Sequence, residues 1–181
     1  HDLGEDAIHP ATCLLFSAEQ YRHRDRWNRD RTAGDWIPGP FDDRWSIRWT
    51  ALEALPCGRR RWLPTAMSYY GAPAETEGDF CRPDSNGCAA GSDLDEATLH
   101  GLLELVERDA AALWWYPRAI RPGIDLTTCA SAMVEAVRAR CSVLGRKCWA
   151  LDLTSEFEIP VVVALSADDG PGWQRLAIGF G

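Results

Sequence analysis

At 181 residues, with 46% hydrophobic and 25% charged side chains, the chain is long enough for one domain or two small ones with a real core. Its net charge of −8 argues against a nucleic-acid binder, which needs a basic surface to displace counterions. Its longest apolar runs, such as Ile159 to Leu165, fall far short of a membrane span.

Seven cysteines, an odd number with no Cys-x-x-Cys pair, support neither a disulfide scaffold nor a structural zinc site. They fit reduced thiols in a cytoplasm. Nine tryptophans predict a wide buried aromatic surface. Lys147 is the only lysine, and no phosphate-binding G-x-x-x-x-G-K-[ST] loop surrounds it. The acidic balance leaves phosphate ligands open, because a metal ion can bridge an acidic site to phosphate. A chain that begins at His1 and stops after a strand-like run is expected to be a piece of a longer protein.

In chain order, Ser17 with Gln20 fits a capping box and predicts a helix over 18–29, with a basic face of Arg22, Arg24, Arg26, Arg29 and Arg31. That face is either solvated or a docking surface for an acidic partner. GDWIPGPF is a Pro/Gly loop. RWSIRWT alternates as a half-buried strand with Trp45, Ile47 and Trp49 inward. A second strand runs from Arg59 to the break at Pro64, with 66–70 as its continuation. The triple arginine 59–61 reads as a solvated strand end or a phosphate clamp. Residues 71–82 are loop-like. After the central helix described below, a helix over 129–144 shares an apolar face of Met133, Val134, Val137, Cys141 and Leu144, with Gly145 at C′. The strands KCWALDLT, IPVVVALS and WQRLAIGF follow, the last two as a hairpin. The order of elements predicts an α+β fold of antiparallel sheets with helices packed on one face.

The central helix is expected over 93–115, with Ser92 as N-cap, Asp95 at N3 and a stop before Pro117. Leu99, Leu102, Leu105, Val106 and Leu113 are its expected core side. At about 100° per residue, Glu96, His100, Glu104 and Glu107 fall on one narrow strip with Arg108 at its edge. Carboxylates three or four apart repel unless something positive lies between them. Mg²⁺ is one candidate, because it takes one or two carboxylates plus waters and phosphate oxygens, while Arg108 could grip phosphate. A wet acidic strip with Arg108 paired to Glu104 is the other reading. Spacing alone leaves both open. A glycosidase pair is disfavoured, because i,i+3 glutamates lie too close together.

The stretch DSNGCAAGSDLDEATLHGLLELVERDAAALWWY, residues 84–116, closely resembles the signature of the YcaO family, in the branch that makes azoline and azole rings in ribosomal peptides. HPATCLLFSAEQY, WIPGPFD, GRRRWLPTAMSYYG and LDLTSEFEIPVVVALS resemble the same branch in the same order. The resemblance implies an ATP-dependent peptide cyclodehydratase with ATP and Mg²⁺ as cofactors. It implies Glu104 and Glu107 as Mg²⁺ ligands and Arg108 as the phosphate contact, the three acting together in catalysis. It also implies Ser92 and Glu96 as part of the nucleotide site. Many members carry Asn at the position of Ser92 and Gln at that of His100, so this sequence departs at both.

The implied partners are a precursor peptide with Cys, Ser or Thr to cyclise and an E1-like or leader-binding protein, with a homodimer as an option. Nucleic acid and membrane are not expected, and the cytoplasm is the expected location. Family members carry a further glutamate-bearing segment before this region, and more sheet, another helix and often a proline-rich tail after it. The resemblance thus implies the central portion of a YcaO domain, incomplete at both ends, with 1–83 a helix-and-strand region and 84–181 the nucleotide-site helix, second helix and strands. A non-catalytic domain that binds a precursor peptide or partner is the alternative function. A thioamide- or amidine-forming enzyme is the second alternative.

Overall fold

A computed structural model describes residues 4–13, 16–29, 36–55, 57–69, 80–81, 83–172 and 174–181. Residues 71–79 and 82 of the loop read over 71–82, Tyr70, Arg31 and the beginnings of the Gly34 loop and the Trp173 strand lie outside them. The chain divides into two compact units, 1–84 and 85–181.

In the first unit, Ser17 and Gln20 form the expected capping box at the start of α2 (Ala18–Arg22). The predicted long helix is broken at His23, and α3 (Arg24–Arg29) continues after it. Short helical turns precede them at Gly4–Asp6 and at α1 (Pro10–Cys13). β1 (Trp49–Ala54) and β2 (Arg59–Pro64) form an antiparallel hairpin in which Trp49 opposes Pro64 and Ala54 opposes Arg59. The alternation read in RWSIRWT is present in exposure, with Trp45, Ile47 and Trp49 half-buried. Ladder pairing begins only at Trp49. Pro64 ends the strand, and the expected continuation is instead a helical turn, α4 (Thr65–Ser68). Arg59 pairs with Asp6 at 2.6 Å, and Arg60 and Arg61 stand opposite Glu53 and Leu52 in the ladder.

In the second unit, α5 (Leu94–Trp115) leads into the strand β3 (Gly123–Ile124), then α6 (Ala132–Val143), β4 (Arg146–Asp152), β5 (Val162–Asp168) and β6 (Leu176–Phe180). The strands form one antiparallel sheet in the order β3-β4-β5-β6. Gly145, at φ +64°, closes α6 as the sequence predicts.

The α+β class with antiparallel sheets is the one expected, but the two long helices do not share one face of the sheet as expected. Successive strand residues point to opposite faces. Val106 and Ala110 of α5 share a core with Val163 and Leu165, and with Leu153 and Val161 beside the strand. Cys141 of α6 lies 3.8 Å from the hydroxyl of Ser166, one residue on from Leu165. The two helices therefore take opposite faces of the sheet.

Two burial expectations fail. Leu99, Leu102, Leu105 and Leu113 are all 44–53% exposed, while Val106, Ala110 and Gly101 are the buried residues of α5. Leu99, Leu102 and Leu113 lie within about 40° of Val106 in helical phase, so the expected side does meet the sheet, but the sheet covers it only at Val106 and Ala110; Gly101 lies on another side, against Gly87. No tryptophan is among the fully buried residues described; most are half-buried, and Trp115 is 52% exposed.

Candidate nucleotide-facing site

The strip predicted on α5 exists, and a loop runs along it. Asp93, in extended backbone, caps α5 by accepting the amide N–H of Glu96 at 2.9 Å. Ser92 is therefore not the N-cap, and the helix starts one residue later than expected. Aspartate and serine cap comparably, and Ser92 is engaged elsewhere. Ser92 is left to meet Glu96: its N–H and its hydroxyl both donate to Oε2, at 2.5 and 2.6 Å. These bonds, the hydroxyl first and then the N–H, hold the Glu96 carboxyl below its usual range, and the neighbouring His100 acts in the same direction.

Further along, the Ala90 carbonyl lies 3.0 Å from Nδ1 of His100. Gly87, at φ +77°, turns the loop so that its N–H donates to Oε2 of Glu104 at 3.1 Å. Its carbonyl oxygen lies against Gly101, where a Cβ would come to 2.7 Å. Gly91 is as tightly seated: a Cβ there would strike the backbone of Ala97 and Glu96. The loop over 85–92 is thus fastened to the helix by Glu96, His100 and Glu104, with glycines at the points of closest approach.

Sequence reasoning missed Gly87, Gly91 and Gly101. The signal for Gly101 was present: a glycine inside a helix costs roughly 1 kcal/mol against alanine, so it calls for a packing reason.

The other oxygen of Glu104, Oε1, accepts from Arg108, at 2.9 Å from Nε and 2.7 Å in the ion pair with Nη2. Glu104 is 24% exposed and Arg108 50%. Both readings of the strip therefore meet here: Arg108 does pair with Glu104, and both still face solvent. Glu107 and Arg108 line a groove just past the loop.

A closed metal cage is not built. Among the described residues, no three His, Cys, Asp or Glu side chains gather around one point. Mg²⁺ needs less than that, because waters and phosphate oxygens complete its octahedron. Oε2 of Glu104 accepts one N–H, that of Gly87, and Glu107 stands one turn away on the same strip. The donor set fits an open magnesium site with an arginine at its edge. Ser92 and Glu96 lie two turns back, bonded to each other.

The family profile described as YcaO cyclodehydratase, ATP- and Mg²⁺-binding, matches residues 1–181. The chain belongs to the YcaO family. It is similar to a heterocyclase solved in complex with substrate and cofactor, at 42% identity over 99% of this chain and 24% of that one, with a TM-score of 0.93. It is also similar to the heterocyclase TruD, at 41% identity over 99% and 26% of the two chains, with a TM-score of 0.90. A YcaO protein from Methanopyrus kandleri bound with AMPPCP and Mg²⁺ shares the fold at 23% identity and a TM-score of 0.58, over 78% of this chain and 38% of that one. The chain spans about a quarter of the length of the two heterocyclases. The YcaO family is one that binds ATP and Mg²⁺. No helix among the described residues is long and apolar enough to cross a membrane.

Proposed function

We propose that this chain carries the magnesium- and phosphate-facing part of an ATP-dependent peptide cyclodehydratase that forms azoline rings from Cys, Ser or Thr. The observation that carries this reading is the Glu104–Arg108 pair, with Glu107 beside it, held on one side by the Gly87 loop and open on the other to a groove.

A side chain of the substrate peptide adds to the preceding backbone carbonyl, and the resulting oxygen is a poor leaving group. Bound Mg-ATP would transfer its γ-phosphoryl group to this oxygen, releasing ADP, so that the oxygen can depart as phosphate while the nitrogen loses its proton and the ring C=N bond forms. Such transfer needs positioning and charge neutralisation rather than a protein nucleophile. Glu104 and Glu107 present oxygens to the metal. Arg108 presents a guanidinium to phosphate, and its contact with Glu104 aims it. Ser92 and Glu96 belong to the nucleotide side of the strip. Their mutual bonds favour the ionised form of Glu96. The cysteines described are free thiols, in keeping with a reducing cytoplasm where ATP is plentiful.

The test is made in the full-length protein with a cysteine-containing precursor peptide. Loss of one water per ring should require both ATP and Mg²⁺. It should vanish in Glu107→Gln while the far-ultraviolet circular dichroism stays unchanged. Full activity of Glu107→Gln removes the metal assignment.

A further inference from the structure

The strip does not stop at Arg108. On the same side of α5 the next residues are Ala111, Ala112 and Trp115, followed by Tyr116, and with Glu107 and Arg108 they line a groove of about 590 Å³. Relative to Glu104, Ala111 lies near −20° and Trp115 near +20°, so the groove continues the line of the carboxylates. Its opposite wall is Ile178 and Phe180, which share one face of β6. Trp115 is braced edge-on by Trp114, which in turn meets Phe180. The aromatic end is therefore positioned by the sheet and yet 52% exposed at Trp115 and 83% at Tyr116.

The chemistry changes in order along this line. Carboxylates and an arginine come first, then a floor of alanines, then an aromatic end. Among the described residues Arg108 is the one cation lining the groove, and it is already paired with Glu104; Asn86 also lines the groove. The alanine floor itself carries no side-chain donor, and the aromatic end offers the Trp115 N–H and the Tyr116 hydroxyl. A shallow alanine floor facing Ile178 and Phe180 suits an uncharged extended chain with small side chains. From Glu107 to Trp115 the helix rises about 12 Å, the length of roughly three or four residues of extended peptide.

We infer that this groove seats the substrate peptide, with the reacting amide at Glu107 and Arg108 and the residues flanking it laid along Ala111 and Ala112 toward Trp115 and Tyr116. The inference rests on the reading of Glu104, Glu107 and Arg108 as the Mg-ATP end. Trp115 and Tyr116 are positioning and specificity residues here, since they pack on the peptide away from the reacting atoms.

Steady-state kinetics of the full-length protein test it, with a synthetic peptide carrying one cysteine between alanines and with Mg-ATP, each varied in turn. Trp115→Ala is expected to raise KM for the peptide roughly tenfold, the equivalent of about 1.4 kcal/mol. KM for ATP should stay within about twofold. Ala111→Leu fills the floor and should block the same peptide with ATP binding intact, which covers the case in which Trp115→Ala fails to fold. A peptide KM unmoved by both variants overturns the inference. So does a rise in KM for ATP in place of the peptide, which would put the nucleotide base in the groove. Failure of the parent reading shows elsewhere, as Mg-ATP binding undisturbed by Glu104→Gln.

Discussion

Arg108 lies back on Glu104 across one helical turn, 2.7 Å from Oε1, while Oε2 of the same carboxylate accepts the N–H of Gly87. Glu104 therefore braces the loop, and in the proposed site it also faces the cation. Glu104→Gln separates the two roles, because an amide oxygen can still accept from Gly87 but carries no charge for Mg²⁺ or Arg108. The expected outcome is a folded full-length protein whose kcat for ATP-dependent dehydration falls by roughly 10²–10³, the range for losing one preorganised electrostatic partner. Rapid-quench kinetics with unchanged circular dichroism would check it. Activity within a few-fold of the parent sinks the role of Glu104.

Gly101 decides whether that brace can form. A methyl at Gly101 would stand 2.7 Å from the carbonyl oxygen of Gly87, which is backbone and cannot simply swing aside. Alanine gains roughly 1 kcal/mol of helix propensity, while overpacking of this kind costs about 1–3 kcal/mol. The second term wins, so Gly101→Ala should lower the melting temperature and, by pushing the loop from Glu104, raise KM for ATP. A calorimetric melting point at or above the parent's would mean the loop does not lie on the helix.

Much of this was legible in the sequence for a simple reason: helix phase and capping are local. The Ser17–Gln20 box, the strip of Glu96, His100, Glu104 and Glu107, Gly145 at the end of α6 and the β5–β6 hairpin follow from neighbours a few residues apart. What the sequence hid depends on where distant backbone returns. Asp93 outcompeted Ser92 because the serine was taken up by Glu96. The leucines of α5 look like core by pattern, yet the sheet is met by Val106 and Ala110, and the Gly87 contact needs Gly101 bare. Thr65–Ser68 turned helical once Pro64 had ended its strand. The resemblance to YcaO proteins named residues for the site that spacing alone left open between a wet strip and a metal.

Glu96 gives the strip a pH dependence. Its carboxyl titrates below its ordinary value of 4.5 in the folded chain, first through the hydroxyl of Ser92 and then through that residue's N–H. A folded value below the unfolded one means the contribution is fully present above about 4.5 and is lost as pH falls through the folded value. Ser92→Ala removes the hydroxyl and should move the Glu96 titration upward, toward 4.5. Carboxyl ¹³C NMR titration of the two proteins would measure it. Identical midpoints would mean the hydroxyl does not hold the carboxylate.

The exposure of the leucine stripe sets two residues of similar size against each other. Leu153 is completely buried in the cluster with Val106, Ala110 and Val163, whereas Leu102 is 53% exposed. Truncating a buried leucine loses its transfer energy and leaves a cavity, at about 2–5 kcal/mol; truncating an exposed one does neither and typically costs under about 1 kcal/mol. In the 181-residue chain, urea unfolding should therefore show a large fall in midpoint for Leu153→Ala and a small one for Leu102→Ala. Leu102 lies within about 40° of Val106 in helical phase, so a cost for Leu102→Ala equal to that of Leu153→Ala would mean that this end of the α5 face is covered as fully as the Val106 end.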